Sequence, residues 1–335
     1  MPGITNTTSP PEWLMQPLLL EPYLRPMPWG GNRLPHWLGL SEPGQPIGEA
    51  WLVSDHHLHT SRILNAPDTS QTLRTLMARW PKAVAGYLAP RFPLLIKIID
   101  ARENLSVQVH PDDASAQHWA PQQGGKTEAW LVLDTTAEGK IYLGLRPGIT
   151  KEVLTRELAL DALPLCLNTY FPRIGECYYV PAGTVHALGA GVSVLEVQQT
   201  SDATFRLYDW GRLDPQGKPR PLHIEAALAV LREHTPEAGL QTPVRLNSDC
   251  ELLVNTPFFT LYRLNVAAQQ TVAAPAIIVP LHSSANLTQG ETNITIPAKH
   301  AALLPALAGE VQLRTAKSDE VILITWPLDR ATPSE

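Results

Sequence analysis

The sequence has few cysteines, no basic excess and no long uninterrupted apolar run, and each scarcity removes a class of protein. Cys166, Cys177 and Cys250 are the three cysteines of 335 residues, and none forms a C-x-x-C pair. That argues against a disulfide framework and fits a reducing compartment. All three read as buried thiols. A formal net charge of -6 leaves no electrostatic footprint for nucleic acid or an anionic membrane, so neither is expected as a partner. The apolar Leu18-Leu19-Leu20 is flanked by prolines and follows no basic region. It therefore predicts neither a signal peptide nor a membrane span, and the cytoplasm is the default location. With 44 % hydrophobic and 17 % charged residues, the chain has an ordinary globular composition and not that of a disordered one.

Proline is plentiful: the 32 prolines exceed the usual share of about 5 %. Most lie between short apolar runs, where they stop helices and central strands. Strands are expected at Leu94 to Ile99, Leu105 to His110, Ala129 to Asp134, Glu176 to Val180, Val192 to Gln198 and Thr204 to Tyr208, where β-branched, aromatic or alternating residues gather. Helical patterns intervene at Gln71 to Trp80, Ala114 to Trp119, Lys151 to Leu160 behind a Thr150 cap, and Ile224 to Glu233. Strands and helices do not alternate regularly, which disfavours a doubly wound parallel sheet and favours a jelly roll or barrel. The expected fold is mainly β. A catalytic domain over about 15–235 carries helical insertions near 66–90, 111–123 and 150–170, and a smaller β domain follows over 245–330, with apolar runs at Phe258 to Val266, Ile277 to Leu281 and Val321 to Trp326.

Within Leu105 to His110, polar and apolar residues alternate, so on a strand Ser106, Gln108 and His110 share a face. Burying Gln and His needs partners, and a metal is one; a solvent-facing strand would show the same alternation. In Gly124-Gly125-Lys126-Thr127-Glu128, a glycine turn leads into Lys126 and Glu128 on one face, a pattern that a surface salt bridge also produces. The sharpest signal is Gly175-Glu176-Cys177-Tyr178-Tyr179-Val180-Pro181-Ala182-Gly183-Thr184-Val185-His186. There a strand, a tight Pro-x-Gly turn and a histidine follow in order. This stretch resembles the second sequence motif of the cupin superfamily, and Gln108-Val109-His110 stands where many cupins carry His-x-His. One Gln oxygen, two His nitrogens and a carboxylate suit a borderline divalent ion; zinc is a good candidate, and iron, manganese or cobalt would also be tolerated.

Further segments narrow the resemblance. They are Trp29-Gly30-Gly31, Gly48-Glu49-Ala50-Trp51, Phe92 to Lys97, Leu105 to Asp112, Gly125 to Glu128, Pro181 to Ala187, Glu196 to Asp202 and Phe205 to Arg212. Over most of its length the sequence resembles type I phosphomannose isomerases, in their short bacterial branch, and the likeness fades after about Val230. The resemblance implies a cupin barrel binding one zinc ion per chain through Gln108, His110, Glu128 and His186. It implies a catalytic Arg206, with Ser106, Lys97, Lys126, Glu196 and Asp202 as further active-site groups. The implied reaction interconverts mannose 6-phosphate and fructose 6-phosphate through an enediol-type proton transfer. We assign Arg206, Lys126 and Glu196 to catalysis and Ser106, Lys97 and Asp202 to substrate binding. Glu196, a metal-bound water and Lys126 are the contenders for proton transfer. The expected partner is a small sugar phosphate, bound by a monomer or homodimer. Alternatives are a sugar-phosphate-binding cupin without turnover, or a metal cupin isomerase acting on another sugar phosphate. Asp55-His56-His57-Leu58-His59 could attract a second metal, but reads better as a polar loop between two strands.

Overall fold

A computed structural model describes residues 9–328 other than 42 and 215. Two antiparallel sheets form a jelly-roll barrel. The larger orders its seven strands as Gly239–Gln241, Cys177–Val180, Glu128–Thr135, Val192–Gln199, Leu94–Ala101, Tyr23–Gly31 and Ile47–Val53, the last also pairing with Leu94–Ala101. The smaller has five: Leu167–Tyr170, Ile141–Leu145, His186–Leu188, Val107–Val109 and Phe205–Tyr208. Trp29, Ile99, Leu105, Trp130, Val132, Ile141, Leu143, Leu188 and Val194 meet between them as the barrel core.

The Leu94–Ala101 strand is buried along its whole length, because the large sheet is covered on both faces. Its outward Leu94, Ile96 and Ile98 join Leu195, Val197, Ala129 and Leu131 in a second core with Leu261, Ile277, Val279, Leu303 and Ile324 of the C-terminal region. Each such aliphatic side chain contributes roughly 1.5–3 kcal/mol when fully buried. The outer face of the smaller sheet is covered by helices Lys151–Ala159 and Ile224–Val230, through Leu154, Ala227 and Val230 packed on Val107, Val109 and Leu207. Side-chain caps start three helices: Thr72 before Leu73–Arg79, Asp112 before Asp113–Trp119 and Thr150 before Lys151–Ala159.

The C-terminal region is a second sandwich. Seven strands run from Leu18–Leu19 through Ala302–Leu304, Ala276–Pro280, Asp319–Thr325, Thr260–Val266 and Cys250–Asn255 to Val244–Arg245, and four strands between Gln269 and Thr315 face them. Leu18 and Leu19 thus pair with Leu303 and Ala302, so the early chain is stitched into the late sheet. Cys166 and Cys177 are buried as expected; Cys250 is only half-buried, because it packs at the margin of the core inside the C-terminal sandwich. No helix among the described residues is long and apolar enough to cross a membrane.

Candidate metal centre and active site

Strand register brings the motifs together. His186 lies opposite Gln108, Arg206 lies on the other side of Gln108, and Glu128 lies opposite both Gln198 and Val180. The Pro181-Ala182-Gly183 turn aims His186: Thr184 N donates to Pro181 O, and Gly183 has φ +84°, the left-handed value that such a turn needs at its third residue. The turn before Lys126 has a different constraint. A Cβ on Gly125 would lie 2.5 Å from the Asp113 backbone nitrogen, while Asp113 Oδ1 accepts from Gly125 N at 2.9 Å and from Gln199 Nε2 at 3.1 Å.

His110, Glu128 and His186 are buried, and one ligand atom from each lies within 4.8 Å of the others. Both imidazoles are oriented from behind: His110 Nδ1 donates to Ala203 O and His186 Nδ1 donates to Thr184 O, each at 2.8 Å. That tautomer leaves each Nε2 with a lone pair facing Glu128, at 3.5 Å from Oε2 for His110 and 3.4 Å from Oε1 for His186. Burial, and next the Lys126 charge, push His110 down to about 4. Burial likewise lowers His186, so both rings are neutral and able to act as ligands. Burial alone would raise the Glu128 carboxyl, but the adjacent Lys126 ammonium outweighs it and holds it well below the usual carboxylate range. Neither Glu128 oxygen accepts an aligned hydrogen bond. Lys126 Nζ lies 2.8 Å from Oε2 as an ion pair, and also 3.0 Å from His110 Nε2. Gln108 completes the set, with its amide nitrogen 3.2 Å from His186 Nε2 and its oxygen 3.3 Å from Ser106 Oγ; exchanging the two amide ends presents the oxygen to His186. A buried carboxylate without aligned donors, two oriented imidazoles and an amide fit a divalent metal.

Beside this centre lies a cavity of about 260 Å³, lined by Lys97, Ser106, Gln108, Lys126, Glu196, Asp202 and Arg206, and also by Arg25, Glu49, Trp130 and Thr204. Lys97 Nζ is 3.3 Å from Glu196 Oε1, 3.8 Å from Asp202 Oδ1 and 3.9 Å from Glu49 Oε2. Burial would lower this ammonium, but the three carboxylates hold it above the ordinary lysine value. Arg206 donates from NH1 to Pro221 O at 2.8 Å, while its buried Nε has no partner.

The sequence reading missed Arg25 and Glu49. Arg25 NH1 lies 3.2 Å from both Glu49 Oε2 and Asp202 Oδ2. Glu49 offered a usable signal: it stands in a seven-residue strand that is buried throughout, and a carboxylate there needs a partner. His223 is exposed and immediately precedes the Ile224–Val230 helix, and its Nδ1 accepts from Arg206 N at 3.2 Å. Asp55–His56 and His59–Thr60 form a small hairpin, in which His56 Nε2 bonds to Gln123 Oε1 at 2.9 Å and His59 stacks on Tyr23. Among the described residues, His110, Glu128 and His186 are the one group with metal-holding geometry.

The chain is similar in sequence and in fold to known proteins. A family model for the phosphomannose isomerase type I catalytic domain matches residues 18–128. The mannose-6-phosphate isomerase of Streptococcus mutans is 35 % identical over 295 residues, covering 87 % of this chain and 90 % of that protein. The crystal structure of mannose 6-phosphate isomerase from Bacillus subtilis is similar at TM-score 0.85 and 30 % identity, over 92 % of this chain and 99 % of that one. A zinc-bound mannose 6-phosphate isomerase shares the fold at TM-score 0.73 and 18 % identity, over 92 % and 99 % of the two chains.

Proposed function

The chain belongs to the type I phosphomannose isomerase family, and from that membership and the site's geometry we propose that it interconverts D-mannose 6-phosphate and D-fructose 6-phosphate with one zinc ion. The observation that carries the reading is the buried donor set of His110, Glu128 and His186 together with Gln108, which lines a cavity that holds charges of both signs. Arg25, Lys97, Lys126 and Arg206 face Glu49, Glu128, Glu196 and Asp202, so the protein's own charges cancel. A divalent cation and a dianionic sugar phosphate then add equal and opposite charge, which a water-poor site tolerates far better than either alone.

Gln108, His110, Glu128 and His186 would hold zinc, a Lewis acid that polarises sugar oxygens. Glu196 carries the proton between C2 and C1 in this reading. Its Oε2 accepts from Trp130 Nε1 at 2.8 Å, while its buried Oε1 has no aligned donor, as a group that must accept a substrate proton requires. Lys126 and Arg206 stabilise the negative charge that develops on the enediolate oxygens. Ser106, Lys97 and Asp202 orient the open-chain sugar, whose remote phosphate supplies binding energy. We assign catalysis to the unit spanning about 15–235, and support to the sandwich of about 245–330.

The test is isomerisation of mannose 6-phosphate by the purified protein, before and after chelation and again after zinc is restored. Chelator-sensitive turnover that zinc rescues is the expected result. A zinc-loaded protein that binds the sugar phosphate without converting it would mean a binding cupin, and turnover of a different sugar phosphate alone would reassign the substrate.

A further inference from the structure

A row of side chains crosses the inner face of the large sheet, each opposite the next on neighbouring strands: Tyr23, Trp51, Lys97, Glu196, Trp130 and Tyr178. The ion pair sits at the centre of this row, with an indole on either side. Each tryptophan donates its N–H to a carboxylate beside Lys97: Trp51 Nε1 to Glu49 Oε2 at 2.6 Å, and Trp130 Nε1 to Glu196 Oε2 at 2.8 Å. The two oxygens of Glu196 therefore differ. One is occupied by the indole; the other is buried, lies 3.3 Å from Lys97 Nζ and accepts no aligned hydrogen bond.

Rotation about the last bond of a glutamate is soft, and an ammonium, as a point charge, does not by itself fix which oxygen it meets. The indole N–H opposes that rotation. Trp130 is itself fixed, being 1 % exposed, paired in the ladder on both sides and set edge-on to His186 with ring centroids 5.5 Å apart. We propose that Trp130 is a positioning residue that fixes the rotation of the Glu196 carboxylate, and so its presentation for proton transfer to and from the sugar. The inference rests on the reading of Glu196 as the proton carrier. It assigns to an apolar core residue a part in the chemistry that burial alone does not give it.

The experiment is a double-mutant cycle on the zinc-loaded protein, with Trp130→Phe, Glu196→Gln and the pair, reading kcat, KM and metal content. Trp130→Phe should lower kcat about tenfold to a hundredfold, the scale of a small misplacement of a reacting group. KM and metal content should stay near wild type. In the Glu196→Gln background the same change should cost less than about twofold, because a residue that acts through another loses its effect when that other is gone. Wild-type kcat in Trp130→Phe, or an equal loss in both backgrounds, overturns the proposal. Wild-type kcat in Glu196→Gln overturns the underlying reading instead. If Phe prevents folding, benzothienylalanine at position 130 keeps the ring shape and removes only the N–H, and the same outcomes decide.

Discussion

The two β-sandwiches of this chain use similar architecture for opposite interiors. The second is filled with Leu264, Val266, Ile278, Leu287, Ile296, Leu304, Val311, Leu313 and Val321, and its buried acid, Asp319, accepts hydrogen bonds from Ser283 N and Oγ. The barrel carries Lys97, Lys126, Glu128, Glu196, His110 and His186, all buried. Its larger sheet tolerates this because its other face is packed against the C-terminal sheet through Ile96, Ile98, Leu195 and Val197. One face of the same strands stabilises while the other is free to be polar. A site built on strands held from behind is more rigid than one built on loops.

The largest test of this contrast makes the barrel interior resemble the aliphatic one. His186→Leu conserves volume roughly and removes the proposed ligand nitrogen, on a ring oriented by Thr184 O. Turnover should fall on the order of a thousandfold or more, with zinc content by elemental analysis falling in step. Stability of the metal-free protein should change by less than about 1.5 kcal/mol, as a volume-conserving swap does. Retained zinc and activity would remove His186 from the metal site.

Much of the barrel was legible because its signals are local. Leu94 to Ile99 and Val192 to Gln198 were readable as strands, which the structure extends to Ala101 and Gln199. The turn at Pro181 to Gly183 announces His186 in sequence. Helix ends were less exact: the Gln71 to Trp80 pattern includes the Thr72 cap, and the Ile224 to Glu233 pattern ends at Val230. What stayed hidden depends on distant pairing. Nothing near Leu18 points to Leu303, and nothing near Arg25 points to Asp202, the acid it meets across the fold. Trp130 carries no such signal in sequence, because its N–H has a purpose only once Glu196 is opposite it.

A smaller effect separates the interiors by pH. Burial would raise the Asp202 carboxyl, but Lys97 and Arg25 outweigh it and hold it below its ordinary value. Its stabilising contribution is therefore complete above the unfolded value of about 3.9 and is lost as pH falls through the lower folded value. In Asp202→Asn this acid-limb component should be missing. Denaturant midpoints of wild type and variant should differ at neutral pH and converge below about pH 3.9. A difference that stays constant through that range would show that Asp202 is not held by those cations.

The least effect on catalysis, and the sharpest contrast with His186→Leu, comes from the aliphatic interior. Leu287 is fully buried in the core inside the C-terminal sandwich and lines no cavity described around the site. Leu287→Ala should cost about 2–5 kcal/mol of unfolding free energy, through lost transfer and the cavity left behind. Below the transition, kcat and KM per folded molecule should match wild type. If kcat falls while the protein remains folded, the second sandwich does more than brace the catalytic sheet, because a change confined to its interior has then crossed the shared core at Ile277, Leu303 and Ile324 to reach Lys97 and Glu196.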